Sequence, residues 1–278
     1  MASESMSMKD LDKYHEANKA MWDQFARINV ESKTYKTEAF LKGETSLNSI
    51  ELEEVGDVKG KTLLHLQTHF GLDALSWVRE GAIVTGVDFS TEGIAISRDL
   101  AKKANIDARF IEANIYDLPD VLDEKFDIVY TSYGVLVWLH DLKRWAEIVA
   151  HFLKPGGTFY IAEFHPYLWI MDWDNTDGFQ MVRSYFPQEV PYQFDVDGSY
   201  AESHKKIDPQ VDYEWGHGLA KILSSISKAG LRIQFFHEFN KSPFQQFSFL
   251  KKRDDGYWYY DNPAVQIPLV FSLKATKE

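Results

Sequence analysis

The chain has 278 residues, no cysteine, 45% hydrophobic residues and a formal net charge of -12. That length suits one large α/β domain with a buried core, and the acidic balance argues against a nucleic-acid partner, whose phosphates need a basic footprint. Disulfides and thiolate chemistry are excluded, no apolar run reaches the length of a membrane span, and the first residues lack the apolar core of a signal peptide, so a cytoplasmic enzyme without a membrane partner is expected.

Residues 1–9 (MASESMSMK) are small and polar and read as a disordered tail. From Asp10 to Ile28, the residues Leu11, Tyr14, Met21, Trp22 and Phe25 recur near helical spacing. Tyr14 and Trp22 stand eight apart, about two turns, which lets both face a cleft as a cover. Residues 29–60 are mixed. The segment KTLLHLQTHFG (Lys61 to Gly71) then reads as strand, tight loop and helix start. Gly81 closes that helix, and Ile83, Val84 and Val87 form a second buried strand ending in Asp88. Helix 91–104, strand 108–112, a short helix near 120, strand 126–131, helix 141–153 and strand 157–163 continue the alternation. It predicts parallel strands with right-handed crossovers, a doubly wound α/β sheet. Residues 165–216 break the pattern with Pro166, Pro187, Pro191 and Pro209 among many aromatics, and read as an insertion over the cleft. A helix from His217, stopped by Gly230, a strand at 231–238 and a last strand at 266–275 close the chain.

Ligands of open parallel sheets sit outside the carboxyl ends of the strands, where an acid at the spacing of Asp88 commonly holds a ribose diol. A carboxylate suits that task because it accepts from two hydroxyls at once. Dinucleotide sites need G-x-G-x-x-G so that backbone can approach a pyrophosphate. Here the loop is Gln67-Thr68-His69-Phe70-Gly71, with one glycine and two bulky polar side chains. That argues against NAD and is tolerable for a cofactor without phosphate, such as S-adenosylmethionine. A nicotinamide-dependent oxidoreductase and a non-catalytic cofactor-binding protein are the rival readings.

The order of FIEANIYDLP (Phe110 to Pro119), FDIVYTSYGVLVWLHDL (Phe126 to Leu142), HFLKPGGTFYIAEF (His151 to Phe164) and IPLVFSLKA (Ile267 to Ala275) resembles the class I S-adenosylmethionine-dependent methyltransferases. The resemblance runs from about Lys61 to Phe164 and resumes near Trp215. More narrowly, the chain is similar to the small-molecule branch whose first motif is H-L-Q-x-H-F-G instead of D-x-G-x-G-x-G. It implies a single domain with a mostly parallel seven-stranded sheet, an antiparallel last strand, S-adenosylmethionine as cofactor and a small-molecule methyl acceptor.

The same resemblance distributes roles. Asp88 would hold the ribose hydroxyls and Phe89 would lie against the adenine. Asn114 would read the adenine edge, with the Ile115 N–H on a ring nitrogen. Gln67, His69, Phe70 and Gly71 would meet the methionine part through backbone. His65 occupies the position of the family's strand acid, so loop carbonyls are the alternative for that task. Thr131, Ser132 and Tyr133 end the fourth strand in the cleft, Tyr133 facing the acceptor. His165 is a second candidate, as a base at the end of the fifth strand. Asp141 reads as a helix N-cap and Lys154 to Gly157 as a turn. No metal site is expected, since His65 and His69 span a strand–loop junction instead of a helix face. Aromatics and acids in the insertion, opposed only by Arg183, Lys205 and Lys206, suit a cationic or flat aromatic acceptor.

Overall fold

The computed structural model describes residues 8–186 and 190–278. Most of the tail read as disordered and Pro187 of the insertion lie outside them; Met8 and Lys9 already belong to the first helix. The strands β1 (Thr62–Leu66), β2 (Ile83–Asp88), β3 (Arg109–Glu112), β4 (Phe126–Ser132) and β5 (Leu153–Phe164) pair in parallel in the order β3-β2-β1-β4-β5. Two later strands, β8 (Leu231–Phe239) and β12 (Val270–Lys277), complete seven in the order β5-β12-β8. The closing strand β12 slots between its neighbours and runs antiparallel to both. The seven strands, their order in the chain and the one reversed strand match the expectation. Lys154 to Gly157, expected as a turn, lie within β5 as an irregularity where the register with β4 jumps from Leu153 to Thr158 and Gly156 has φ +77°. A Cβ on Gly157 would come within 2.8 Å of the Lys154 carbonyl.

Successive side chains of a strand point to opposite faces, and strands buried on both faces need no polar alternation. Leu64 and Leu66 pack with Trp145, Phe152 and Phe159 beneath α7 (Leu142–Phe152) and α9 (Leu219–Lys228). Leu63 packs on the other face with Trp77, Tyr130 and Tyr160 beneath α4 (Leu72–Arg79) and α5 (Thr91–Ala104). Asp141 caps α7 by accepting from the N–H groups of Lys143 and Arg144. Two short helices, α2 (Thr37–Leu41) and α3 (Ser49–Val55), bridge the N-terminal helix α1 (Met8–Asn29) and the sheet. No helix of the described residues is long and apolar enough to cross a membrane.

The insertion has more order than its sequence suggested. After α8 (Pro166–Trp169), β6 (Tyr192–Ser199) and β7 (Glu202–Glu214) pair as an antiparallel hairpin that lies along α1. Asn18 of α1 clamps the edge of β7 as a peptide would. Its Nδ2 donates to the Tyr213 carbonyl and its Oδ1 accepts the Tyr213 N–H, each at 2.8 Å. On its other flank α1 is tied to α5, where Asp23 accepts from the Ser90 hydroxyl at 2.6 Å and the Glu92 N–H at 3.1 Å. Arg27 reaches Glu92 at 2.9 Å, and Lys19 reaches Glu112 at 2.7 Å.

Candidate functional site

A cleft of about 1180 Å³ of empty space, its solvent mouth included, opens at the carboxyl ends of β1, β2 and β4 under α1. Its floor is the loop after β1. Gln67, His69 and Gly71 have φ of 56°, 53° and 85°, so all three stand in the left-handed region. Those are the alternate positions that glycines occupy in the D-x-G-x-G-x-G motif. The loop keeps a glycine-loop backbone while carrying side chains at two of the three positions, at a cost of about 1–2 kcal/mol for each such residue. Gly71 itself has no substitute, because a Cβ there would meet Ser97 Oγ at 2.8 Å.

What holds His69 in this conformation is Asp88. Its Oδ2 accepts the His69 N–H at 2.7 Å and its Oδ1 accepts the Ser90 N–H at 2.9 Å. Ser90, meanwhile, caps α5 by accepting the Gly93 N–H. Burial pushes the Asp88 carboxyl up to about 7, against the pull of those amide donors. A carboxylate has about four acceptor sites, so acceptor capacity remains for a ligand. His69 is enclosed by Trp22, Tyr35 and Phe70, with ring centres 5.1, 5.5 and 4.4 Å away. Burial lowers both His65 and His69 to about 3, so both imidazoles are neutral.

Asn114 and Ile115 line the cleft beside Phe89, but the Asn114 side chain is already engaged. Its Oδ1 accepts the Tyr116 N–H at 3.0 Å, an Asx turn, and its Nδ2 lies 3.4 Å from His15 Nδ1. Ile115 begins a short 3-10 turn, and the first N–H of a helical turn has no partner within it. Ser132 and Tyr133 line the cleft at the end of β4. Thr131 does not: it is fully buried and donates to the Leu66 carbonyl at 3.1 Å, holding β1 to β4.

Three further expectations are corrected. The stripe of α1 that faces the cleft is His15, Asn18 and Trp22, at the i, i+3, i+7 spacing of one helix face. Tyr14 lies one residue round and packs on Tyr213 at 4.3 Å, outside the cleft. His165 also stands outside it. Its Nδ1 accepts the Tyr167 N–H at 3.1 Å and caps α8, while its Nε2 lies 3.1 Å from Glu238 Oε1. Among the described residues of the insertion, only Tyr200 reaches the cleft. None of the described acids of the insertion lines the cleft, and Asp174, Asp195 and Asp197 are exposed, so the expected acidic lining for a cationic acceptor is not found there.

The sequence reading missed several lining groups. Asp73, in the first turn of α4, accepts from Ser46 Oγ at 2.6 Å and Ser132 Oγ at 3.3 Å, and burial raises its carboxyl. Tyr35 and Phe244 complete the wall. Glu163 stands near the end of β5. Its carboxylate accepts four backbone N–H groups, from Gly134, Val135 (2.8 Å), Leu136 (3.0 Å) and Phe164 (2.6 Å), and so pins the loop after β4.

The lining also carries polar groups that a polar ligand could satisfy. Three lining side chains hold buried polar atoms without a protein partner: His65 Nε2, Gln67 Oε1 and Trp22 Nε1. Such atoms are costly unless something satisfies them. Among the described residues, no group of three His, Cys, Asp or Glu is arranged to hold a metal ion.

Comparison with known proteins agrees with this geometry. Residues 64–161 match the family described as a methyltransferase domain. The ubiquinone biosynthesis O-methyltransferase of Serratia proteamaculans is 28% identical over 111 residues, 40% of this chain and 46% of that protein. Its counterpart from Cronobacter sakazakii is 26% identical over 137 residues, 48% of this chain and 56% of the relative. The chain thus spans about half the length of these curated relatives. Among solved structures, an S-adenosylmethionine-dependent methyltransferase from Mesorhizobium loti superposes with a TM-score of 0.57 at 19% identity, over 85% of this chain and all of that one. One from Listeria monocytogenes, described as S-adenosylmethionine dependent, gives 0.53 at 15% identity over 82% and 95%. The sheet order, the reversed strand and the matched core 64–161 together give this chain the Rossmann-like fold of the class I methyltransferases.

Proposed function

We propose that this protein transfers the methyl group of S-adenosylmethionine to a small-molecule acceptor. The observation that carries the reading is the β1 loop, which keeps three left-handed residues and is braced by Asp88 from the next strand. The cofactor supplies a methyl group already activated by a sulfonium charge, so the protein's work is alignment and exclusion of water. Asp88 would accept from the ribose hydroxyls. Phe89 would lie along the adenine, with the Ile115 N–H directed at the ring edge and the Asn114 amide beside it. His65, Gln67 and the loop backbone would meet the amino-acid end. There Asp73 is a cleft carboxylate placed to face an ammonium, in place of the strand acid that His65 replaces. Trp22 and Tyr200 roof the cleft, and the region of Tyr133, Gly134 and Phe244 would receive the acceptor.

Side chains at positions 67 and 69 favour this cofactor over a dinucleotide, since a pyrophosphate needs the space they occupy. Calorimetric titration with S-adenosylmethionine, S-adenosylhomocysteine and NAD tests the assignment, and the first two are expected to bind. Binding of NAD alone would replace the reading with an oxidoreductase.

The pH dependence of that titration has a definite sign. Hydroxyl donors favour the ionised form of Asp88, whose carboxyl sits near 7 before binding. Binding therefore lowers this pKa and releases a proton below pH 7, so affinity falls as pH drops from 7 to 5.5. Comparing binding heats in buffers of different ionisation enthalpy measures the proton directly. A constant affinity over that range would detach Asp88 from the ligand. For stability the sign is opposite: with its pKa raised above the ordinary 3.8, this carboxyl favours the folded state most in acid. That contribution is lost as pH rises through about 7.

A further inference from the structure

We propose that Tyr133 is the general base of the transfer, taking the acceptor's proton on Oη while its own phenolic proton passes to Glu51 Oε2. The inference rests on the methyl-transfer reading above and adds to it the substrate class. The acceptor carries a proton on the reacting atom, as a hydroxyl or an amine does.

The geometry begins with Glu51. It is the N3 residue of α3, in a capping box with Asn48. Its Oε1 accepts the Asn48 N–H at 2.7 Å and the Asn48 Nδ2 at 2.9 Å. Capping needs no more than that oxygen, and a capping carboxylate is ordinarily at the surface. This one has no solvent exposure, and its second oxygen accepts the Tyr133 hydroxyl at 2.9 Å. Tyr133 in turn lines the cleft, between Phe164 and Phe244.

Backbone strain sharpens the assignment. Tyr133 has φ +33°, and Gly134 follows at +76°. A bulky residue rarely adopts that conformation, and it persists where the surroundings over-determine it. Here the Tyr133 N–H is held by the Ala162 carbonyl at 2.8 Å and the next N–H by Glu163. The strain holds Tyr133 in the cleft wall with its hydroxyl proton committed to Glu51. Its oxygen lone pairs are what it can offer a substrate.

The electrostatics require a partner for the proton. Burial, with Glu51, Tyr130 and Tyr160 nearby, raises the Tyr133 hydroxyl well above 10, so a free phenolate is not held. Burial also lifts the Glu51 carboxyl to about 7, with Asp73 adding to the effect and Asn48 opposing it. Tyr257, bonded to Ser49 at 2.9 Å, is a further titratable neighbour. At neutral pH the ionised form of Glu51 can therefore take the phenolic proton only as the acceptor's proton arrives on Tyr133 Oη.

In the step, the bond from acceptor to methyl forms as the bond from methyl to sulfur breaks, and the bonding pair stays on sulfur. The acceptor's proton moves to Tyr133 Oη, and the phenolic proton moves to Glu51. One sulfonium cation and one carboxylate are consumed together, and charge balances. A thioether or tertiary amine has no proton to give and gains nothing from the relay.

The test uses the full chain and the variants Tyr133→Phe and Glu51→Gln. With catechol and tryptamine as probe acceptors, release of S-adenosylhomocysteine is expected to fall 10²-fold or more in kcat in each variant, within the range of general base catalysis. Calorimetric affinity for S-adenosylmethionine should stay within about twofold, as neither residue is assigned to the cofactor. The wild-type kcat should rise with pH through about 7, and Glu51→Gln should remove that limb. A second readout needs no acceptor. The infrared band of the protonated Glu51 carboxyl, identified by its loss in Glu51→Gln, should titrate near pH 7 and move upward in Tyr133→Phe. Wild-type kcat and pH profile in both variants would overturn the relay, as would a Glu51 band indifferent to Tyr133→Phe. Failure of the wild-type protein to bind S-adenosylmethionine would instead overturn the methyl-transfer reading.

Discussion

Asp88→Ala is expected to weaken S-adenosylmethionine binding at least tenfold and to lower stability in the same variant. Charge-assisted bonds to two hydroxyls are worth on the order of 1.5–3 kcal/mol, and each 1.4 kcal/mol is about a factor of ten. The second effect follows from the apo geometry, in which the same carboxylate accepts the N–H groups of His69 and Ser90. Each buried N–H left without a partner costs about 1–3 kcal/mol, and His69 would lose the bond that holds it at φ +53°. Calorimetry and thermal denaturation of the one variant separate the effects. Full affinity with a lowered midpoint would make Asp88 a brace for the loop and nothing more.

Glu163→Ala is expected to be the most destabilising single change near the cleft. The carboxylate is 3% exposed and satisfies four backbone N–H groups, three of them consecutive in the loop after β4. Water replaces few of those bonds at this depth, so the loss should reach ~3 kcal/mol or more, a size tied to breaking a buried network. Chemical denaturation measures it directly. Glu163→Gln has one acceptor in place of two and should fall between wild type and alanine. A change below about 1 kcal/mol in Glu163→Ala would show that the loop is held by its own packing.

These effects could not have been weighed from the sequence, although much of the fold was legible there. The sheet was readable because its strands are short apolar runs separated by helices with clear caps, Ser90 and Asp141 among them. Positions at strand ends followed from topology, and Asp88, Ser132 and Tyr133 do meet in one cleft. What topology does not give is rotation about a helix axis. Tyr14 and Asn18 are both consistent with an amphipathic α1, and packing on β7 decides that Asn18 faces inward. His165 sits at the right edge of the sheet, yet an adjacent helix N-terminus claims its ring. The hairpin was missed although Tyr192, Phe194 and Val196 alternate with Gln193, Asp195 and Asp197, a strand signal obscured by the surrounding prolines and acids. Glu51 carried a readable sign as well, since Asn48 and Glu51 have capping-box spacing. Nothing local said that the box would be buried against Tyr133.

The side chains at Gln67 and His69 alter when the loop's conformational cost falls due. A loop with glycine at both positions explores many backbone states before a ligand arrives, and association then bears the loss of that freedom. Here the left-handed turns are formed in the free protein, held by Asp88 and by Gln67 Nε2 on the Val135 carbonyl at 3.0 Å. Their strain is charged against folding, and the ordering entropy of the cofactor-binding step shrinks by the same substitution of residue types.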